Sequence, residues 1–198
     1  MRRSTDKRRP ITDEPAARVI LGVDPGTLVT GYGVLAIASG GAITLLTAGT
    51  VKNSPQQAIP ERLHRIFSEL NSVIRKFSPS EFAIESSFYG KNAQSALKLG
   101  QARGVALLAA VSKKVPCYEY SPREVKRSVV GNGAAGKHQV QYMVRSALHL
   151  DDRPLLLDAS DAIAVALCHL YRTNVNRPTP PPRSWKAFVA SHPERVLR

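Results

Sequence analysis

The sequence predicts an α/β fold, a five-stranded mixed sheet with helices on both faces. Three observations predict it. Short apolar runs bounded by turn residues alternate with longer segments of helical periodicity. The first three runs follow one another across short links, and the later ones are each followed by a helical segment. A length of 198 residues with 43% hydrophobic residues suits one domain with a buried core, or one domain with tails.

The elements follow in order. Val19-Ile-Leu-Gly-Val-Asp24 is a continuous apolar run that ends in an acid, and it reads as a buried strand before a tight turn at Pro25-Gly26. Gly31 to Ile37 and Ile43 to Val51 are the second and third strands, linked by Ala38-Ser-Gly-Gly41, so the three form an antiparallel meander. Pro60 opens a helix to about Phe77, with Leu63, Ile66, Phe67, Leu70, Val73, Ile74 and Phe77 at helical spacing. Glu81 to Glu85 is a fourth strand that also ends in an acid. Asn92 to Val111 is a long helix rich in Ala and Leu, and Val115 to Tyr120 is the fifth strand. Ser121-Pro-Arg-Glu124 is a helix start, with Ser as N-cap, Pro at the first position and Glu at the third. Gly131 to Gly136 reads as a flexible loop, and Lys137 to His149 and Asp158 to Arg172 are two further helices.

The formal net charge is +13, which points to a polyanion as partner. It is unevenly spread. Residues 1–18 carry +3 and residues 172–198 carry +5. Within the core, residues 112–145 carry another +5, so the rest of the core is neutral. Both ends have little apolar periodicity, and Pro178, Pro180, Pro181 and Pro182 oppose helix and central strand alike. The expected division is therefore a flexible basic extension over 1–18, one folded domain over 19–172, and a flexible Pro-rich basic tail over 173–198. No apolar run approaches the roughly 18 residues of a membrane span. The basic start lacks the apolar stretch of a secretory signal, and Cys117 and Cys168 make neither a disulfide framework nor a zinc pattern. A cytoplasmic protein with free thiols is expected.

Four acids stand out by position. Asp24 and Glu85 end strands, and Asp158 and Asp161 share one face at the start of the last helix. Clustered carboxylates repel one another unless a cation neutralises them. Hard oxygen ligands favour Mg²⁺ or Mn²⁺ over zinc. Such a set can hold two ions about 3.5–4 Å apart and support in-line displacement at phosphorus. Ordinary roles compete with this reading: acids at a helix N-terminus suit the macrodipole, and strand-end acids often sit in turns.

These residues carry a resemblance. Ile20-Leu-Gly-Val-Asp-Pro-Gly-Thr-Leu-Val-Thr-Gly-Tyr-Gly-Val34 resembles the opening of the RuvC family of bacterial Holliday junction resolvases. Phe82-Ala-Ile-Glu85, the block Lys91 to Gly104, Val125 to Gly133 with Lys137, and Asp158 to Ala166 resemble later motifs of that family, in its order. Together they span about residues 19–172. The resemblance implies an RNase H-like fold, a homodimer, and Mg²⁺-dependent paired nicking of four-way junctions beside the RuvA and RuvB branch-migration proteins. Two Mg²⁺ per subunit are implied, with Mn²⁺ able to substitute. It puts the catalytic, metal-binding acids on Asp24, Glu85, Asp158 and Asp161.

The neighbouring residues are read with it. Phe88 is either a base-stacking wedge or a packing residue, and the resemblance favours the wedge. Lys126 and Lys137 match family basic residues that anchor a phosphate or stabilise charge on it. Arg123 and Arg127, with Arg145 behind them, are further candidates for phosphate contact. Cys168 on an apolar helix face reads as core, and the five histidines show no ligand spacing. On the long helix, Ala93, Ala96, Leu97, Gly100, Gly104 and Leu108 recur at three and four and offer a face to a second copy. Two alternatives stay open. One is a module that binds branched DNA without cutting it. The other is an ATPase, since Asp24-Pro-Gly-Thr27 is similar to the phosphate loop of the actin and sugar-kinase group.

Overall fold

Alternation along the first strand sets up the architecture. β1 (Arg18–Asp24) sends Ile20 into one hydrophobic cluster and Leu21 and Val23 into another, so the strand is buried on both faces. The computed structural model describes residues 18–86, 93–150 and 154–175. β1 pairs antiparallel with β2 (Val29–Ile37), which pairs antiparallel with β3 (Ile43–Lys52). On its other side β1 runs parallel to β4 (Glu81–Glu85), and β4 runs parallel to β5 (Cys117–Tyr120). The sheet order is β3-β2-β1-β4-β5, and the antiparallel meander and mixed sheet are as predicted.

Helices cover both faces. α1 (Ile59–Phe77) buries Ile66, Leu70 and Ile74 against Phe82, Ile84 and the Ala102, Ala106, Ala109, Ala110 stripe of α2 (Ala93–Val111). α5 (Leu157–Val175) lies on the opposite face, with α3 (Pro122–Val130) and α4 (Lys137–Leu148) packed against it. Its approach to the sheet is close. A Cβ at Gly22 of β1 would lie 2.2 Å from the Ala162 carbonyl oxygen, so this pairing of strand and helix needs glycine.

Several element boundaries differ from expectation, among them β2, which starts at Val29 rather than Gly31. β5 starts at Cys117 rather than Val115, because Pro116 has no N–H and Val115 donates its own to the Ala110 carbonyl at the end of α2. α5 runs on to Val175 and β1 begins at Arg18. Those ends are tied together, since the Arg18 guanidinium bonds Glu81 as well as Thr173 Oγ1 at 2.9 Å and Asn174 Oδ1 at 3.2 Å. The Gly131–Gly136 segment is a set of hydrogen-bonded turns rather than a loose loop, and Ala135 within it is buried in the core. Among the described residues no helix is long and apolar enough to cross a membrane.

Candidate active site

Parallel pairing brings the two strand-end acids together. Val23 of β1 is paired with Ile84 of β4, so Asp24 and Glu85 follow side by side at the strand ends. Val23 and Ile84 both point into the α1–α2 cluster. The pleat therefore turns Asp24 and Glu85 to the other face, towards α5. The turn after Asp24 is held by the buried Thr30, whose hydroxyl donates to the Gly26 carbonyl at 2.7 Å and accepts from its N–H at 3.3 Å. That N–H is the kind of donor a phosphate loop would offer, and here it is used internally.

The start of α5 supplies the other two acids. Asp24, Glu85 and Asp161 line one cleft of about 170 Å³, with Lys126 of α3 and Lys137 of α4 facing them. Val125, Val140 and Ala164 give it apolar walls that the sequence did not single out. Asp158 is not in the lining, but its Oδ1 lies 4.0 Å from Lys137 Nζ, which is 2.9 Å from Asp161 Oδ2. A larger hollow of about 340 Å³ lies elsewhere, between α1 and the end of α2. It is lined by Phe67, Ser68, Asn71, Arg75, Ser112 and Lys113 and holds no carboxylate, so the smaller cleft is the candidate site.

The cleft is electrostatically strained. Burial, and then repulsion from Asp24 and Asp161, pushes Glu85 up to about 8, partly offset by Lys137 and Lys126. Burial and the Asp161 charge push Asp24 up to about 6. The Lys137 ammonium is raised, chiefly by its hydrogen bond to Asp161. Carboxylates crowded in this way fit a site for divalent cations. All candidate donors are hard oxygens, and one cation, the lysine ammonium, already rests on two of them. Mg²⁺ or Mn²⁺ suits the set; zinc would call for nitrogen or sulfur donors.

The remaining predicted residues fall in three places. Arg123 and Arg127 are exposed on α3 outside the cleft lining, and Arg145 is half-buried on α4. Phe88 lies outside the described residues. α3 itself is held by the predicted capping box, in which Ser121 Oγ accepts from the Glu124 N–H at 3.3 Å and the Glu124 carboxylate accepts from the Ser121 N–H at 2.9 Å. Cys168 is buried beside Ser128, as a core residue.

Sequence reading missed a second polar group, which runs from the start of β4 to the end of β5. His169 of α5 is fully buried, with Nδ1 2.6 Å from the Tyr120 hydroxyl and Nε2 bonded to Glu81, which also holds Arg18. The Arg18 guanidinium holds Glu81 below the usual carboxylate range, so Glu81 accepts from Nε2–H and Tyr120 donates to Nδ1. The partners are 49, 88 and 63 residues apart in pairs, and no local pattern announces them.

Comparison with known proteins bears on the family and the fold. A family model described as crossover junction endodeoxyribonuclease RuvC matches residues 20–169. The crossover junction endodeoxyribonuclease RuvC of Cytophaga hutchinsonii is 43% identical over 179 residues, covering 90% of this chain and 88% of the relative. That of Saccharophagus degradans is 51% identical over 152 residues, covering 77% and 87%. Among solved structures, T. thermophilus RuvC in complex with Holliday junction substrate superposes with a TM-score of 0.74 at 37% identity, covering 80% of this chain and 96% of that one. The fold is thus the RNase H-like one expected. With a matched core from β1 into α5, the chain belongs to the family of crossover junction endodeoxyribonucleases RuvC.

Proposed function

We propose that this protein is a structure-selective endonuclease that resolves Holliday junctions by paired symmetric nicks, using two divalent metal ions, Mg²⁺ in the cell. One observation carries the reading. Asp24, Glu85 and Asp161, from three separate elements, line one cleft with Lys126 and Lys137 facing them. Such a cleft brings carboxylates for metal together with cations for phosphate.

Each residue has a task. Asp24, Glu85, Asp158 and Asp161 are the residues that would hold the ions. When bound, the metal ions supply an activated water and stabilise the leaving 3′ oxygen. Lys126 and Lys137 orient the scissile phosphate and offset its charge. Val125 and Val140 limit water at the site, which strengthens those interactions. Arg123 and Arg127, exposed on α3, extend the positive surface along the DNA backbone. Phe88 follows Glu85 by three positions and is proposed to stack on a base where the junction opens.

Paired cutting needs two sites related by two-fold symmetry. The outer face of α2 supports a homodimer. Leu97, Leu108 and Val111 are 65%, 57% and 60% exposed, and a Cβ added at Gly100 or Gly104 meets nothing within 4 Å. The helix buries Ala102, Ala106, Ala109 and Ala110 against its own domain, so among the described residues the opposite face is uncovered and suits a second copy. Work in the cytoplasm beside RuvA and RuvB, and basic tails that add salt-sensitive affinity, complete the proposal.

The test is a cleavage assay on four-way junctions with mapped nick positions, with and without Mg²⁺. Metal-dependent nicks at symmetric positions on opposing strands are expected. Intact junctions that are nonetheless bound would instead favour a non-cleaving branched-DNA-binding protein.

A further inference from the structure

Lys137 is the first residue of α4, and its ammonium bridges the acids of α5, 2.9 Å from Asp161 Oδ2 and 4.0 Å from Asp158 Oδ1. Among the described residues, no three histidine, cysteine or carboxylate side chains are arranged to enclose one ion. The acids of this site are gathered about a lysine. Lys126 lines the same cleft but makes no ion pair among the described residues, so the contact is particular to Lys137.

We propose that Lys137 is a built-in counter-ion that holds Asp158 and Asp161 in the metal-free protein and yields them when divalent metal binds. The inference rests on the metal-dependent reading of the site. Its physical basis is competition for the same oxygens. An ammonium and a divalent cation on one carboxylate repel each other at short range, more strongly in a partly buried cleft than in water. One of them has to move, and exposure decides which. The Lys137 side chain is 59% exposed and that of Asp161 is 16% exposed, so the lysine can swing into solvent and the aspartate cannot follow. Its flexible four-carbon stem makes that motion easy. Once released, the ammonium is free for the substrate phosphate. Metal occupancy and phosphate binding are thereby coupled through one side chain, and the other charged groups facing it are Asp24, Glu85 and Lys126.

The experiment is Mn²⁺ titration by calorimetry on the full-length, DNA-free protein, comparing wild type, Lys137→Gln and Lys137→Arg. Lys137→Gln is expected to bind Mn²⁺ roughly twofold to fivefold more tightly, the scale of one lost ion-pair competitor. Lys137→Arg keeps the charge and is expected within about twofold of wild type. Thermal melts of the same proteins give a second readout. Lys137→Gln is expected to melt lower than wild type without metal and to gain more from Mn²⁺. Equal or weaker Mn²⁺ binding by Lys137→Gln, with wild type binding normally, overturns the counter-ion role and leaves the metal reading intact. A wild-type protein that takes up no Mn²⁺ overturns both.

Discussion

A Cβ placed on Gly31 would lie 2.0 Å from the backbone carbonyl oxygen of Asp158 and 2.7 Å from its carbonyl carbon. Gly31 is the β2 residue paired with Asp24. The start of α5 therefore rests directly on the backbone beside the first catalytic candidate. That contact sets how close Asp158 and Asp161 come to Asp24.

Replacing Gly31 by alanine is expected to force strand and helix apart. Overpacking against backbone cannot be relieved by a rotamer change, so a loss of about 2–3 kcal/mol or more is expected. Urea unfolding measures it. Cleavage should fall further than junction affinity, because the acids separate while the basic surface stays. A Gly31→Ala protein with wild-type stability and activity would show that the contact does not position the site.

Asp24→Asn removes one buried charge from the cleft. Cleavage is expected to drop roughly a thousandfold or more, with junction binding retained. The metal-free protein should gain stability on the order of 1 kcal/mol at neutral pH, because burial and Asp161 oppose the Asp24 charge. Gel-shift, cleavage and melting measurements separate the three effects. Retained cleavage would remove Asp24 from the site.

Ser121→Ala breaks the capping box of α3, the helix that carries Lys126. A cost of about 1 kcal/mol is expected. Ser121→Asp should restore most of it, since aspartate also caps a helix and suits its N-terminal dipole. Equal melting temperatures for Ser121→Ala and wild type would contradict the cap.

Acid should loosen the polar group around His169. Burial lowers His169 below its ordinary 6.5, and the Arg18 bond lowers Glu81 below 4.5. Both groups bind protons more readily when unfolded. The His169 contribution is therefore complete above about pH 6.5 and declines as pH falls below it. That of Glu81 persists above about pH 4.5 and is lost as pH falls through its lower folded value. The stability gap between wild type and His169→Gln should shrink from pH 7.5 to pH 5.5, read by urea unfolding at both. A constant gap would mean that folding leaves the proton affinity of His169 unchanged.

Much of this molecule is legible in its sequence because the signals are local. Apolar runs mark β1 and β4, and the capping box marks α3. Even the strand-end position of Asp24 and Glu85 follows from a run of side chains and a turn. The start of β5 was not legible in the same way, since Val115 is held back by a backbone bond to Ala110 that no residue type announces. Resemblance to a family added the roles of the four acids, which periodicity alone left open.

What the sequence by itself determined is each element and the chemical type of the groups it carries. Convergence belongs to the tertiary structure. Parallel pairing of β1 with β4 puts Asp24 beside Glu85, and close packing of α5 on the sheet at Gly22 and Gly31 brings Asp161 into the same cleft. The Lys137 contact with Asp158 and Asp161, and the Arg18–Glu81–His169–Tyr120 chain from the start of β4 to the end of β5, likewise join residues far apart along the chain. The physical reason is the same in each case. Spacing along a strand or helix fixes which face a side chain takes, whereas the distance between two such faces exists only after the layers have packed.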